Sequence, residues 1–130
     1  MNPGPYSERL SQFREHIVPA ETVLIVTHDY PDPDCIASAF GLSHLVASWG
    51  VKSSVITFGG FVGRAENRAM IRFLNIQIVP FPLIELRDFQ RVIVVDTFPG
   101  AGNMSLPKDA EVHGVFDHHL ERPSGPVSYF

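Results

Sequence analysis

Cysteine is nearly absent from this 130-residue sequence, which contains only Cys35. A single cysteine excludes an internal disulfide framework and a zinc cage made of cysteines, so a bound metal would depend on Asp and His side chains. No uninterrupted apolar run approaches the roughly 20 residues that cross a bilayer, and the N-terminal stretch MNPGPYSERLSQF lacks the basic and apolar regions of a signal peptide. We therefore expect a cytoplasmic protein without a membrane partner.

Positive charge is also scarce. The sequence has 10 Lys and Arg residues against 14 Asp and Glu residues, which gives a formal net charge of −4. This balance provides no broad attraction to long nucleic acid, so long duplexes are not expected as partners, whereas a small anionic substrate would need only local positive charge. The hydrophobic content of 45% and the length predict one compact domain.

Short apolar segments rich in β-branched residues alternate with longer amphipathic segments along the chain. The predicted strands are Thr22–Thr27, Lys52–Phe58, Ile76–Phe81, Arg91–Asp96 and Val112–Asp117. The predicted helices are Ser7–Ile17, Cys35–Trp49 and Ala65–Leu74. This alternation predicts an α/β fold: a doubly wound, mainly parallel five-stranded sheet with helices on both faces, similar to the Rossmann architecture.

The loop after the first predicted strand, HDYPDPD, carries one imidazole and three carboxylates within seven residues. Its like charges would repel one another unless a cation neutralises them, which favours His28, Asp32 and Asp34 as metal ligands. Asp34 has an alternative role as the N-cap of the next helix, and both roles are compatible. Asp29 is explained at least as well as a solvated surface carboxylate.

Two further strands are followed by ionisable residues. Asp96 ends the run VIVVD, where a carboxylate reaches the crevice at the carboxyl edge of an open sheet, although it could instead begin the turn TFPG. Asp117, His118 and His119 follow the last predicted strand. Adjacent histidines on an extended segment point in opposite directions, so we expect one to bind metal and the other to meet the substrate, with Asp117 orienting an imidazole.

This set of side chains favours a site with two metal ions. Two ions about 3.5–4 Å apart activate water and stabilise the attacking and leaving oxygens of phosphoryl transfer, and Asp96, on the central strand, is the best residue to bridge them. Ligation by carboxylates and imidazoles without thiolate suits Mn²⁺, with Mg²⁺ or Co²⁺ as substitutes and zinc less favoured.

The segments HDYPDPDCIASAF, VVDT and FDHH resemble, in order and spacing, motifs I, II and III of the DHH phosphoesterase superfamily. The stretches FGGFVGRAENRAM and DTFPGAGNMSLP resemble the branch that contains nanoRNases and pAp-phosphatase-like proteins. The ligand sets that this resemblance implies are His28, Asp32 and Asp96 for one ion, and Asp34, Asp96 and His118 for the second. It also implies that His119 contacts the scissile phosphate, with Asp117 beside it in the catalytic set.

The stretch GRAENR offers Arg64, Asn67 and Arg68 as contacts to a substrate phosphate or to a lid, because Arg pairs bidentately with phosphate. A solvated helix face explains these three residues equally well. Cys35 stands where motif I has a small residue, and we expect it to be a buried small side chain.

The resemblance also implies parts that this sequence does not contain: an Asp ligand beyond motif III and a smaller C-terminal substrate-binding domain. We therefore expect residues 1–130 to form one DHH catalytic domain that is the N-terminal part of a longer protein or a truncated chain, and to be weakly active or inactive by itself. A domain separated from its partner exposes apolar surface, which would favour a homodimer.

The function implied by the resemblance is a Mn²⁺-dependent phosphoesterase. Its substrates would be phosphodiester or phosphomonoester bonds of short oligonucleotides or of small nucleotides such as 3′-phosphoadenosine 5′-phosphate. Other branches stay open, namely a cyclic-dinucleotide phosphodiesterase, a RecJ-like exonuclease and a family II pyrophosphatase. A non-catalytic nucleotide-binding regulatory module is the alternative from a different class.

Overall fold

The computed structural model describes residues 4–119, in which five parallel strands form one sheet. The strands are β1 (Thr22–Val26), β2 (Ser53–Phe58), β3 (Ile78–Pro80), β4 (Arg91–Val95) and β5 (Gly114–Phe116). The helices are α1 (Pro5–Ile17), α2 (Pro33–Ser48) and α3 (Ala65–Phe73). Neighbouring strands pair in the order β3-β2-β1-β4-β5. The predicted α/β fold with a parallel five-stranded sheet is therefore confirmed.

The central strands β1 and β4 supply two cores, because successive residues of a strand point to opposite faces of the sheet. The first core holds Ile25 and Ile93 together with buried residues of α1 and α2, and α3 packs against it. The second core holds Leu24 and Val94. Two short 3-10 turns and the loop between β4 and β5 cover this second core. Within residues 4–119 the α-helices thus lie on one face, which corrects the prediction of helices on both faces.

The direction of the chain across the sheet explains this arrangement. From β1 the chain moves through β2 to β3 at one edge, and it then returns to place β4 and β5 on the other side of β1. Right-handed crossovers that proceed in opposite directions lie on opposite faces, so the chain after β3 covers the second face. The reversal creates a switch point between the carboxyl ends of β1 and β4, which is where open α/β sheets bind ligands.

Several elements have ends that differ from the prediction. α1 begins at Pro5 rather than Ser7, and α2 begins at Pro33 rather than Cys35, because proline is well tolerated in the first turn of a helix. β3 and β5 contain three residues each and are shorter than predicted. At β3 the reason is local, since the chain enters a 3-10 turn at Phe81.

The apolar face predicted for α2 is confirmed, since Leu42 and Val46 are buried and Leu45 and Trp49 pack against the first core. None of the helices in the described part of the chain combines the length and the hydropathy that a membrane-spanning helix requires.

Candidate metal centre

Three neighbouring parallel strands end at one edge of the sheet, and side chains that can bind metal follow each of them. His28 follows β1, Asp96 directly follows β4, and the segment 117–119 directly follows β5. Because the carboxyl ends of parallel strands meet at the same edge, residues far apart in sequence become neighbours. The structure thus brings together the three segments that the strand pattern predicted.

Asp96 lies at the switch point of the sheet. Its φ is 58°, in the left-handed region, and its N–H donates a hydrogen bond to the carbonyl oxygen of Phe116 at 2.7 Å. Its Oδ2 lies 3.8 Å from Nε2 of His28, and its Oδ1 lies 3.0 Å from Nε2 of His118. The carboxylate is 12% exposed and stands between two imidazoles from two other strand ends. A role in the turn alone does not account for these contacts.

Asp32 caps helix α2 and also approaches His28. Its Oδ1 accepts a hydrogen bond from the backbone N–H of Cys35 at 2.9 Å and lies 3.9 Å from Nε2 of His28. The N-cap role considered for Asp34 therefore belongs to Asp32, because the helix begins at Pro33. Asp34 lies in the first turn, where the helix dipole favours a negative charge.

Two groups of ligand atoms within residues 4–119 are compact enough to hold an ion, since the atoms of each lie within 4.8 Å of one another. The groups are His28, Cys35 and Asp96, and Asp96, His118 and His119. Asp96 belongs to both, as a bridging ligand would. Imidazole and carboxylate donors suit a divalent cation, so the residues present fit the predicted metal. Asp32 and Asp34 are both exposed and belong to neither group, although Asp32 approaches His28.

Cys35 is fully buried against this centre, and the expectation of a buried side chain is confirmed. Its thiol donates to the carbonyl oxygen of Val95 at 3.7 Å. Burial raises the pKa of the thiol to about 12, and the carboxylates of Asp96 and Asp32 add to the rise. His28 and Asp96 are the members of the first group that the sequence predicted as ligands. The sequence pattern did not indicate that Cys35 lies close to His28 and Asp96, although its place in the first turn of α2 is consistent with this.

His118 and His119 do not point in opposite directions, as an extended segment would require. Their ring centroids are 4.6 Å apart, with an interplanar angle of 30°, because β5 ends at Phe116 before the two histidines. Asp117 accepts hydrogen bonds from the ring Nδ1 of His119 and from the backbone N–H of His119, the latter at 3.3 Å. The ring hydrogen bond raises the pKa of His119. Asp117 therefore fixes the orientation of this imidazole.

An apolar groove of about 370 Å³ reaches the centre from α2. Its walls include Leu42, Leu45 and Phe116, and it ends at Asp96 and His118. The apolar walls of the groove lower the local dielectric constant beside Asp96, which strengthens the attraction of its carboxylate for a cation.

Two of the three residues predicted from the GRAENR stretch line a second cavity, of about 520 Å³, beside the HDYPDPD loop. They are Arg64, directly before α3, and Asn67, which is buried in the first turn of α3. Nδ2 of Asn67 donates to the carbonyl oxygen of Pro31 at 3.4 Å and so links α3 to the loop. Arg68 does not line this cavity; its Nη1 donates to the carbonyl oxygen of Val62 at 3.4 Å.

A family model described as the DHH family, N-terminal domain, matches residues 22–129 of this chain. The chain belongs to the DHH family. The matched region contains all three strand-end segments of the centre, so the resemblance to the DHH superfamily is confirmed. Members of this family are generally metal-dependent phosphoesterases.

A protein of Methanocaldococcus jannaschii, named "Uncharacterized protein MJ1633", is 40% identical to this DHH chain over 98 residues. The matching region is 75% of this chain and 20% of that protein, so the chain spans about a fifth of the length of this curated relative. The name of the relative states no activity and therefore does not support one branch of the DHH superfamily over another.

Proposed function

We propose that this DHH domain is a metal-dependent phosphoesterase that hydrolyses short oligonucleotides or small nucleotides of the kind cleaved by nanoRNases and pAp phosphatases. The observation that carries the proposal is the position of Asp96 at the switch point, within 3.8 Å of His28 and 3.0 Å of His118. A carboxylate shared between two imidazole-bearing strand ends is the arrangement that a pair of divalent ions needs.

The proposed cofactor is a pair of Mn²⁺ ions, which Mg²⁺ or Co²⁺ would replace. The proposed ligand sets are His28, Asp32 and Asp96, and Asp34, Asp96 and His118. When bound, such ions supply Lewis acidity that activates water and offsets the negative charge of the phosphate. Asp32 and Asp34 both have exposed side chains outside the two groups of ligand atoms, and Asp34 is the weaker member because Asp32 approaches His28 at 3.9 Å.

His119 is proposed to contact the scissile phosphate, with Asp117 as its positioning partner. The Asp117 carboxylate engages Nδ1 of the ring, which leaves Nε2 to face the substrate. The same hydrogen bond raises the pKa of His119 and so favours the imidazolium, whose Nε2–H donates to a phosphate oxygen. His119 is thereby separated in role from His118, whose Nε2 faces Asp96.

The proposal is tested by assaying residues 1–130, and a longer chain that adds the C-terminal domain implied by the resemblance, with Mn²⁺ against pApA, 3′-phosphoadenosine 5′-phosphate, cyclic di-AMP and inorganic pyrophosphate. Turnover of either of the first two is expected, and a preference for cyclic di-AMP or pyrophosphate would move the chain to another DHH branch. Absence of turnover by residues 1–130 alone would implicate the C-terminal part that the resemblance implies. Mn²⁺ binding without turnover of any of the four by the longer chain would instead identify a nucleotide-binding module.

The role of His119 is tested with the variant His119→Gln and the matched variant His44→Gln, which changes an exposed histidine of α2. Loss of a hydrogen-bond donor to the charge that develops in the transition state typically lowers kcat by about 10²–10³-fold. We expect this loss for His119→Gln with Mn²⁺ affinity unchanged. Weakened Mn²⁺ binding in this variant would instead make His119 a ligand, as its nearness to Asp96 and His118 allows.

A further inference from the structure

The cavity of about 520 Å³ beside the HDYPDPD loop has walls of three chemical kinds. Carboxylates of the candidate metal centre form one side, an aromatic pair forms another, and the first turn of α3 forms the third. The lining residues that matter here are Asp32, Asp34, Tyr30, Phe61, Arg64 and Asn67. A ligand in this cavity would therefore touch both the acidic loop and an aromatic surface.

The aromatic wall is an exposed but fixed pair of rings. The rings of Tyr30 and Phe61 meet edge to face, with centroids 5.0 Å apart and an interplanar angle of 84°, while 60% and 66% of these residues are exposed. Tyr30 has a φ of 52°, its N–H donates to the carbonyl oxygen of Gly59 at 3.0 Å, and its ring covers Gly60 so closely that a Cβ there would overlap it. The ring thus stands in place before any ligand arrives.

The third wall carries one buried hydrogen-bond acceptor without a partner and one cationic side chain. Asn67 is 4% exposed, and its Oδ1 has no hydrogen-bond partner within residues 4–119. A buried acceptor without a partner is costly, so it favours a ligand that supplies an N–H or O–H group. Arg64, at the N-cap of α3, makes no side-chain cap, and its cationic group and the free N–H groups of the first turn attract an anion.

We propose that this cavity binds the nucleoside portion of a nucleotide, with the base stacked on the Tyr30–Phe61 pair and a phosphate group near Arg64 at the start of α3. The inference rests on the proposed function, because Asp32 and Asp34 line this cavity and are also proposed ligands of the two ions. Aromatic rings beside cationic and donor groups are the combination that recognises single nucleotides without strong base preference. Inorganic pyrophosphate, which has no base, would leave the aromatic wall uncovered.

The test compares two ligands that differ only in the base, adenosine 5′-monophosphate (AMP) and ribose 5-phosphate. Their dissociation constants are measured by calorimetry with and without Mn²⁺, so that the ratio isolates the base from the phosphate and the metal. The variant Phe61→Leu removes the stacking face but keeps an apolar side chain. Phe73→Leu is the matched control, since Phe73 is 89% exposed at the end of α3 and does not line the cavity.

AMP is expected to bind about tenfold more tightly than ribose 5-phosphate, as one base stacked on an aromatic ring provides. Phe61→Leu should lower the ratio by about half or more, because only the Tyr30 ring then remains to stack on the base, and Phe73→Leu should leave the ratio unchanged. Arg64→Gln should weaken both ligands and preserve the ratio, whereas Arg72→Gln, in the last turn of α3, should affect neither.

The inference is overturned if the wild-type ratio is within twofold of one, if neither ligand binds at millimolar concentration, or if Phe61→Leu keeps the wild-type ratio. These outcomes are distinct from failure of the proposed function. Hydrolysis without a base-dependent ratio would refute only the stacking site, and a ratio that depends on Phe61 without hydrolysis would refute only the catalytic role.

Discussion

Replacement of Asp96 by Asn separates the metal-binding role of this residue from its structural role. Asn has nearly the same size as Asp and tolerates the left-handed backbone, so the φ of 58° and the hydrogen bond from the Asp96 N–H to the carbonyl oxygen of Phe116 should persist. The amide oxygen can still accept a hydrogen bond from Nε2 of His118, which lies 3.0 Å from the carboxylate. In metal-free buffer we therefore expect the free energy of unfolding to change by less than about 1 kcal/mol.

The expected difference appears only with metal. An ion present at about 100 times its dissociation constant stabilises the folded state by about 2.7 kcal/mol through mass action. For a domain of this size each kcal/mol raises Tm by roughly 4 °C, so saturating Mn²⁺ should raise the wild-type Tm on the order of 10 °C. Asp96 belongs to both groups of ligand atoms, and Asp96→Asn should therefore remove nearly all of this rise.

Thermal unfolding followed by circular dichroism over a Mn²⁺ titration, with a chelator-treated sample as baseline, measures this difference directly. Asp88→Asn is the matched control, because Asp88 is exposed in a turn before the amino end of β4, whereas Asp96 follows its carboxyl end. The control should keep the full Mn²⁺-dependent rise. An equal rise in Asp96→Asn and wild type, or no rise in the wild type at millimolar Mn²⁺, would refute the assignment of the metal centre.

Three further predictions concern other parts of the fold. Because Cys35 is fully buried and its pKa is raised to about 12, a thiol reagent should label it only after unfolding, and rapid labelling of the native protein would contradict the burial. Burial lowers the pKa of His113 below 6.5, and its Nδ1 accepts a hydrogen bond from the N–H of Val92 at 3.0 Å. The folded state then binds fewer protons than the unfolded state, so the free energy of unfolding should rise with pH from the lowered pKa up to about 6.5, then level off. His113→Gln should lose this component of the slope in denaturant titrations at a series of pH values. Gly59→Ala would place a methyl group on the side-chain ends of Asp29 and Ser105 and break the hydrogen bond between them, so it should destabilise the fold by about 1 kcal/mol in urea unfolding. Gly41→Ala, inside α2 where a Cβ meets nothing within 4 Å, should stabilise it instead.

The sequence pattern was sufficient to predict the part of the site that depends on strand ends. The apolar runs of β1 and β4 are buried on both faces, and such runs have few alternatives to parallel strands in the middle of a sheet. Once these strands are assigned, His28 and Asp96 must lie at the same edge. Proximity of the three motif segments therefore follows from the strand pattern alone.

Details that depend on how a helix or strand ends were not predictable in the same way. The N-cap moved from Asp34 to Asp32 because Pro33 can occupy the first helical position, and local propensity does not distinguish these two registers strongly. The side-by-side rings of His118 and His119 depend on β5 ending at Phe116, since an extended chain through the two histidines would have separated them.

The sequence pattern also did not predict which segments cover each face of the sheet. The segment between β3 and β4 contains Phe81, Ile84, Leu86 and Phe89, all of which pack on the second core. Its apolar residues cover the second core, as the residues of a packed helix would, although its regular structure is limited to short 3-10 turns. Periodicity indicates which segments are helical, but it does not indicate that an irregular segment can cover half of a sheet.

The backbone conformation of Asp96 gives a physical reason to place it at the centre of the site. A residue other than glycine with φ near 58° carries a local cost of about 1 kcal/mol or more. Glycine would adopt this conformation more easily but would offer no ligand, and Asn would adopt it but carry no charge to attract a cation. Asp provides both the abrupt end of β4 and a carboxylate that reaches two neighbouring strand ends. Tyr30 and Arg64, with φ of 52° and 54°, are likewise strained, and both line the adjoining cavity. Within residues 4–119 three of the four non-glycine residues with positive φ thus lie at the proposed site, and the fourth, Asn75, lies in the turn after α3. The three fit a site where the surrounding fold imposes a conformation that the local sequence does not prefer.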